Sequence, residues 1–157
     1  MKTVLLAIGK TDDEYLTEGI RKYVERIRHY APFEFKCLPD IKNSRSLTRD
    51  QQKQQEGRLL TAEMMPGDVV ALLDEGGRQY SSRQFSQFYS KIAASGAKRL
   101  VFVIGGPYGF SDDVYKAATH KISLSPMTFS HQMVRLIFVE QLYRLHTIIK
   151  GEPYHHD

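Results

Sequence analysis

Residues 99–110 read RLVFVIGGPYGF. Leu100–Ile104 is an unbroken apolar run rich in β-branched residues, the pattern of a strand buried on both faces in a parallel sheet. The run stops at Gly105-Gly106-Pro107, with Gly109 close behind. Glycine permits positive φ and close approach to bare backbone, and proline fixes the turn. Ser111-Asp112-Asp113 supplies N-cap chemistry for a following helix. A glycine-rich loop at the carboxyl end of a central strand is where ligands bind in open α/β sheets. The same loop also serves as a plain strand-to-helix turn.

The chain has 157 residues, enough for one domain with a real core and too few for two, so a single domain over 1–157 is expected. It is 41% hydrophobic and 25% charged, which excludes a disordered chain. A net charge of +4 permits a nucleic-acid partner without requiring one. The single cysteine, Cys37, excludes an internal disulfide and a cysteine-based metal site. The opening run Val4–Ile8 is too short for a signal peptide, and no run approaches the roughly 20 apolar residues of a membrane helix. A cytoplasmic protein without a membrane association is expected.

Working outward, strands and helices alternate. Val4–Ile8 reads as a strand. Leu16, Ile20, Tyr23, Val24 and Ile27 fall on one helical stripe. Phe33–Leu38 reads as a second strand. Residues 39–55 are polar and carry Lys42, Arg45, Arg49 and Lys53. The stretch fits a solvated insertion and equally a basic arm that meets phosphates. From about Thr48 to Met64 it reads as a polar helix. Val69–Leu73 reads as a third strand closed by a loop at Asp74-Glu75-Gly76-Gly77. A helix follows from Ser82 to about Ala94, then the 99–110 stretch, a short helix from Asp112, and a fifth strand at Lys121–Leu124. Residues 125–129 form a loop, and a long helix spans His131 to about Ile149. This order predicts an α/β fold, a mostly parallel sheet flanked by helices. Three loops then share one sheet edge: 73–77, 105–109 and 124–129.

The last helix carries Val134, Ile137, Phe138, Leu142, Leu145, Ile148 and Ile149 on one arc, with Met133, Leu136 and Tyr143 outside it. Apolar residues on more than one side predict cover on more than one side, and a second subunit is the expected cover. His131, Arg135 and His146 lie near one another on the wheel, while Glu140 and Arg144 make a favourable i,i+4 pair. The tail Gly151–Asp157 reads GEPYHHD, a frayed end or a functional segment rich in imidazole and phenol.

Four ordered motifs then carry a resemblance: IGGPYG at Ile104–Gly109, SLSPMTFSH at Ser123–His131, V-R-x-x-x-x-E-Q-L-Y-R at Val134–Arg144, and PYH at Pro153–His155. Together they resemble the bacterial ribosomal RNA large subunit methyltransferase H family, of the SPOUT class, over the whole chain. The resemblance implies a C-terminal trefoil knot, a rare exception among folds. It implies S-adenosylmethionine as methyl donor and N3 of a pseudouridine in 23S ribosomal RNA as acceptor. It also implies a homodimer with the active site at its interface, and no metal. Donor contacts carried over are Leu73, Gly105, Gly106 and the loop Leu124, Ser125, Pro126, Met127, Thr128 and Phe129. Many members carry Glu where Tyr108 stands.

Methyl transfer to a ring nitrogen benefits from removal of its proton, and histidine is the usual base. His155 is the first candidate and His131 the second. Tyr154 suits orienting the base or stacking on it. Arg135 and Arg144 suit a developing anion or a phosphate, and equally a salt bridge to Glu140 or subunit packing. Lys42, Arg45, Arg49 and Lys53 are the expected RNA contacts. A SPOUT methyltransferase acting on tRNA and a non-catalytic dimeric RNA-binding module are the alternatives. A phosphate-binding P-loop and a dinucleotide fingerprint are absent by pattern.

Overall fold

Five parallel strands form one sheet in the order β2-β1-β4-β3-β5. The computed structural model describes residues 1–157. In chain order the elements are β1 (Lys2–Ile8), α1 (Glu14–Arg28), β2 (Phe33–Leu38), a 3-10 turn (Ser44–Ser46), α2 (Arg49–Ala62), β3 (Val69–Gln79), α3 (Ser82–Ala94), β4 (Arg99–Ile104), α4 (Asp112–Ala117), β5 (His120–Ser123) and α5 (Met133–Lys150). The fold is α/β, as the alternation of elements predicts. All four strand pairings are parallel, so every strand delivers its following loop to the same edge.

β4 sits in the middle, paired to β1 through Leu5↔Phe102 and to β3 through Ala71↔Phe102. Its side chains alternate between two cores, as period-2 geometry requires. Leu100, Phe102 and Ile104 join the core under α1, α3 and α5, with Leu16, Ile20, Phe85, Phe138 and Leu142. Val101 and Val103 join the core under α2 and α4, with Leu60, Phe110 and Val114. Leu100–Val103 are fully buried, which is why both faces of the run are apolar.

Two departures from the sequence reading bear on the site. β3 does not end at Leu73. It runs to Gln79, and both Leu73 and Arg78 pair with Ile122, so residues 74–77 bulge out between them. A Cβ on Gly77 would lie 2.5 Å from the Ile122 nitrogen, so glycine is demanded there by the neighbouring strand. α5 starts at Met133, and its buried face is not the arc of aliphatics expected. It comprises Arg135, Phe138, Val139, Leu142, Leu145, His146 and Thr147, packed between α1 and α3. Much of the second cover on α5 therefore comes from its own chain. Val134, Ile137, Gln141, Arg144 and Ile148 stay half-buried on one stripe at alternating spacings of three and four.

His146 lies inside this packing at 6% exposure. Its ring stacks on Tyr30 at 5.3 Å and meets Tyr89 edge-on at 5.0 Å, and its Nε2 has no partner. Burial lowers the imidazole from its ordinary 6.5 to about 4. The unfolded chain therefore binds the proton more readily. The contribution of neutral His146 is fully present above about pH 6.5 and is lost as pH falls towards 4, in total about 3 kcal/mol. Urea unfolding of wild type and His146→Phe at pH 7.5 and pH 4.5 should show the variant losing about 2 kcal/mol less on acidification. Equal losses would show that His146 is not the titrating group.

Candidate active site

The bulge in β3, the loops after β4 and β5 and the entry to α5 line a cavity of about 530 Å³, within the usual range for small-molecule sites. Leu73, Gly105, Gly106, Leu124, Ser125, Met127, Thr128 and Phe129 all line it, as does His131. Pro126, between Ser125 and Met127, does not. The 123–129 loop is braced internally. Ser123 Oγ donates to the Ser125 carbonyl at 3.1 Å, and the Met127 amide donates to Ser125 Oγ at 2.9 Å. Met127 is 76% exposed at the rim, an apolar side chain left free where a ligand would cover it.

The bulge in β3 adds two carboxylates to which the sequence reading gave no role of their own. Asp74 and Glu75 line the cavity beside Leu73. The Gly76 amide donates to Asp74 Oδ1 at 2.7 Å, the Tyr115 hydroxyl donates to Asp74 Oδ2, and Thr128 Oγ1 donates to Glu75 Oε1 at 3.0 Å. Partial burial, then the bond to Asp74, pushes the Tyr115 phenol up to about 12. The cavity is therefore lined by two carboxylates as well as by glycine backbone. The signal for it in the sequence is the pair of carboxylates directly after an apolar strand.

A second cluster sits further along α5. Glu140 Oε1 accepts from the Tyr154 hydroxyl at 2.9 Å and from Arg144 Nη2. The Arg144 guanidinium also lies over the Tyr154 ring, 4.8 Å from its centre. Arg144 Nη1 stands 3.2 Å from His155 Nδ1. A guanidinium only donates, so Nδ1 accepts and the ring proton sits on Nε2, which donates to Asp157 Oδ1 at 2.9 Å. Asp157 is held in turn by Arg83 at 2.7 Å, whose hydrogen bond keeps that carboxyl below its usual range. Burial and bonds to Tyr23 and Glu140 raise the Tyr154 phenol. Upstream, the Tyr30 hydroxyl donates to Glu152 at 2.6 Å. The tail is thus pinned at four points. With Nδ1 occupied by Arg144 and Nε2 protonated, His155 has no free lone pair in this arrangement.

The structure brings Tyr154, His155 and Arg144 together and leaves His131 apart from them at the cavity. No tail residue lines the cavity. Arg144 is ten residues beyond Val134, roughly 15 Å along the helix axis. Arg135 belongs to neither group. Its side chain is fully buried, with Nη2 donating to the Ile8 carbonyl at 2.8 Å, Nη1 to the Gly9 carbonyl at 2.8 Å and Nε to the His131 carbonyl at 3.0 Å. It satisfies the orphan carbonyls at the end of β1 and ties that end to α5.

A family model described as "Predicted SPOUT methyltransferase" matches residues 1–155. Over 157 residues, all of both chains, the sequence is 56% identical to "Ribosomal RNA large subunit methyltransferase H" of Parabacteroides distasonis. Proteins of the same name from Christiangramia forsetii and Bacteroides fragilis are 55% identical over 99% of both chains and 52% identical over all of both. The chain belongs to the ribosomal RNA large subunit methyltransferase H family, of the SPOUT methyltransferase class.

In this SPOUT methyltransferase the basic residues of 42–53 follow β2, so they stand at the same sheet edge as the cavity. Lys42, Arg45 and Arg49 are exposed and Lys53 is half-buried. Lys53 is 3.6 Å from Asp50, and the Arg49 guanidinium lies over the Tyr108 ring at 5.2 Å. The segment is not a bare insertion: Thr48 and Gln51 form a capping box, and Leu60 is buried. No group of three or more His, Cys, Asp or Glu is arranged to hold a metal ion. No helix is long and apolar enough to cross a membrane.

Because Glu140 holds both Tyr154 and Arg144, Glu140→Ala should free the tail. Chymotrypsin cleavage after Tyr154, read as loss of the last three residues by mass spectrometry, should accelerate at least about fivefold. An unchanged cleavage rate would show that the tail is held by its other contacts.

Proposed function

We propose that this protein is an S-adenosylmethionine-dependent methyltransferase that modifies N3 of a pseudouridine in 23S ribosomal RNA of the large subunit, working in the cytoplasm as a homodimer. The observation that carries this reading is that the cavity is built from the loops that the family resemblance assigns to the donor. S-adenosylmethionine, when bound, supplies a methyl group on a positively charged sulfur, already activated for in-line displacement by N3. The residues present suit it. Asp74 and Glu75 favour a cationic, hydroxyl-rich ligand, Gly105 and Gly106 present bare backbone, and the amides of 124–129 suit an adenine edge. The trefoil knot implied by the resemblance would wrap these loops around the donor.

The protein's own contribution is position and proton management. A base must take the N3 proton, and His155 is the residue assigned to it. Arg144 occupies Nδ1 in the free chain. A pyrimidine carbonyl that draws Arg144 towards itself frees that lone pair, so binding of the acceptor and activation of the base become one event. Tyr154 stacks on or orients the base, and Glu140 keeps Arg144 and Tyr154 in register. His131, at the cavity rim, is the second candidate for the proton.

The distance between the two clusters supports a homodimer. The tail is pinned about two to three helical turns from its own cavity. The half-buried stripe on α5 is a seam a second copy would cover, bringing the partner's tail to the cavity. Lys42, Arg45, Arg49 and Lys53 would meet ribosomal phosphates beside the cavity.

Transfer of labelled methyl from S-adenosylmethionine to ribosomes lacking the modification, with and without prior pseudouridylation, tests the reading. Pseudouridine-dependent label on large-subunit RNA is expected. Label on tRNA alone would move the activity to a different RNA, and RNA binding without any label would leave a non-catalytic binding module. His155→Ala should lower turnover at least about tenfold with donor binding intact; undiminished turnover at saturating donor would remove His155 from the chemistry. Reversing the charge of Arg45 and Arg49 should weaken ribosome binding and reduce its salt slope by about 2. An unaltered slope would return the segment to a structural role.

A further inference from the structure

Glu56 on α2 is 3% exposed, a buried carboxyl outside the cavity and unused by the chemistry above. Its Oε1 has no partner, and its Oε2 has only Gln52 Nε2 at 3.5 Å. Burial raises its carboxyl above the usual carboxylate range. A group of this kind costs stability where it stands, and an aliphatic side chain would pack there more cheaply. The carboxyl rests against Gly106. A Cβ on Gly106 would lie 2.4 and 2.5 Å from its two oxygens and 2.7 Å from its carbon. The next residue, Gly57, is seated as closely on the far end of the same loop, where a Cβ would lie 2.3 Å from Ser111 Oγ. At the loop's crest, Arg49 covers Tyr108. One face of α2 therefore supports the whole segment 106–111 from behind, while Gly105, Gly106, Pro107 and Gly109 present their other side to the cavity.

We propose that Glu56 is a positioning residue for the methyl donor: its carboxyl is the back wall that sets Gly106, and through Gly106 the backbone that faces the donor. Glu56 touches no donor atom and acts through the loop. Residue 106 is glycine, on this account, because of the carboxyl behind it and not only because of a ligand in front. The inference rests on the donor assignment in the preceding section.

The test is a double-mutant cycle on the full-length chain, with S-adenosylhomocysteine binding measured by calorimetry and melting curves recorded for each variant. Wild type binds. Glu56→Gln, which keeps shape without charge, stays within about threefold, whereas Glu56→Ala weakens binding at least about fivefold through loop misplacement. In turnover, Glu56→Ala raises the KM for the donor and leaves kcat at saturating donor within about twofold. Gly106→Ala weakens binding at least about tenfold, and adding Glu56→Ala to it restores binding to near the level of Glu56→Ala alone. Should Gly106→Ala fail to fold, recovery of folded protein in the double variant reads the same clash, and the Gln and Ala pair at position 56 still reads the donor.

Wild-type affinity in Glu56→Ala would overturn the proposal. So would a Gly106→Ala defect that Glu56→Ala leaves unrelieved, because the added methyl would then be opposed from the cavity side. Absence of S-adenosylhomocysteine binding in wild type would instead overturn the donor assignment, and this inference with it.

Discussion

β4 is paired on both edges and covered on both faces. That constraint organises the molecule. A strand with no exposed face or edge has one place to change direction, its carboxyl end, and there the chain turns at Gly105 against the ring of Phe110. Parallel pairing then forces the loops after β1, β2, β3 and β5 to the same edge, so the cavity, the acidic bulge and the basic segment are neighbours by topology. Arg135 ties this edge to α5 by donating to the carbonyls of Ile8 and Gly9 at the end of β1.

Several glycines at this edge have structural reasons that precede any ligand. Gly77 makes room for the backbone of β5 and Gly106 for the carboxyl of Glu56. The cavity walls are thus set by packing from outside, which is how a site gains position without spending flexibility on binding. The tail follows the same logic through polar contacts. Glu140 orders Arg144 and Tyr154, and Arg144 orders His155.

The fold was legible because its strands are buried runs and its helices carry caps or stripes. The Leu100–Ile104 run and the Ser111 cap are visible in the sequence for this reason. Eight of the nine residues that the resemblance assigns to the donor line the cavity for a related reason: they lie at or beyond the carboxyl ends of buried runs. What escaped reading depends on a second element. The β3 bulge is a matter of register against β5, so 73–77 reads as a loop at the cavity edge and not as an interruption within one strand. A helical wheel gives the angle of Arg135 but not the unpaired carbonyls of β1 that draw it inside. Glu56 reads as one more polar residue on a polar helix until Gly106 is placed against it. The tail motif was visible, but the Arg144 hydrogen bond that occupies the His155 lone pair was not, since spacing carries no tautomer.

In the proposed homodimer, cavity and tail, separated within one chain, act together across two. The most direct measurement mixes two impaired homodimers, one with Gly106→Ala and one with His155→Ala, at subsaturating donor and under conditions that exchange subunits. Each mixed dimer then has one site with an intact cavity and an intact partner tail. The account predicts recovery of about a quarter of wild-type methyl transfer at random exchange. Mixed dimers that form but stay inactive would contradict it, and would place each tail in the service of its own chain.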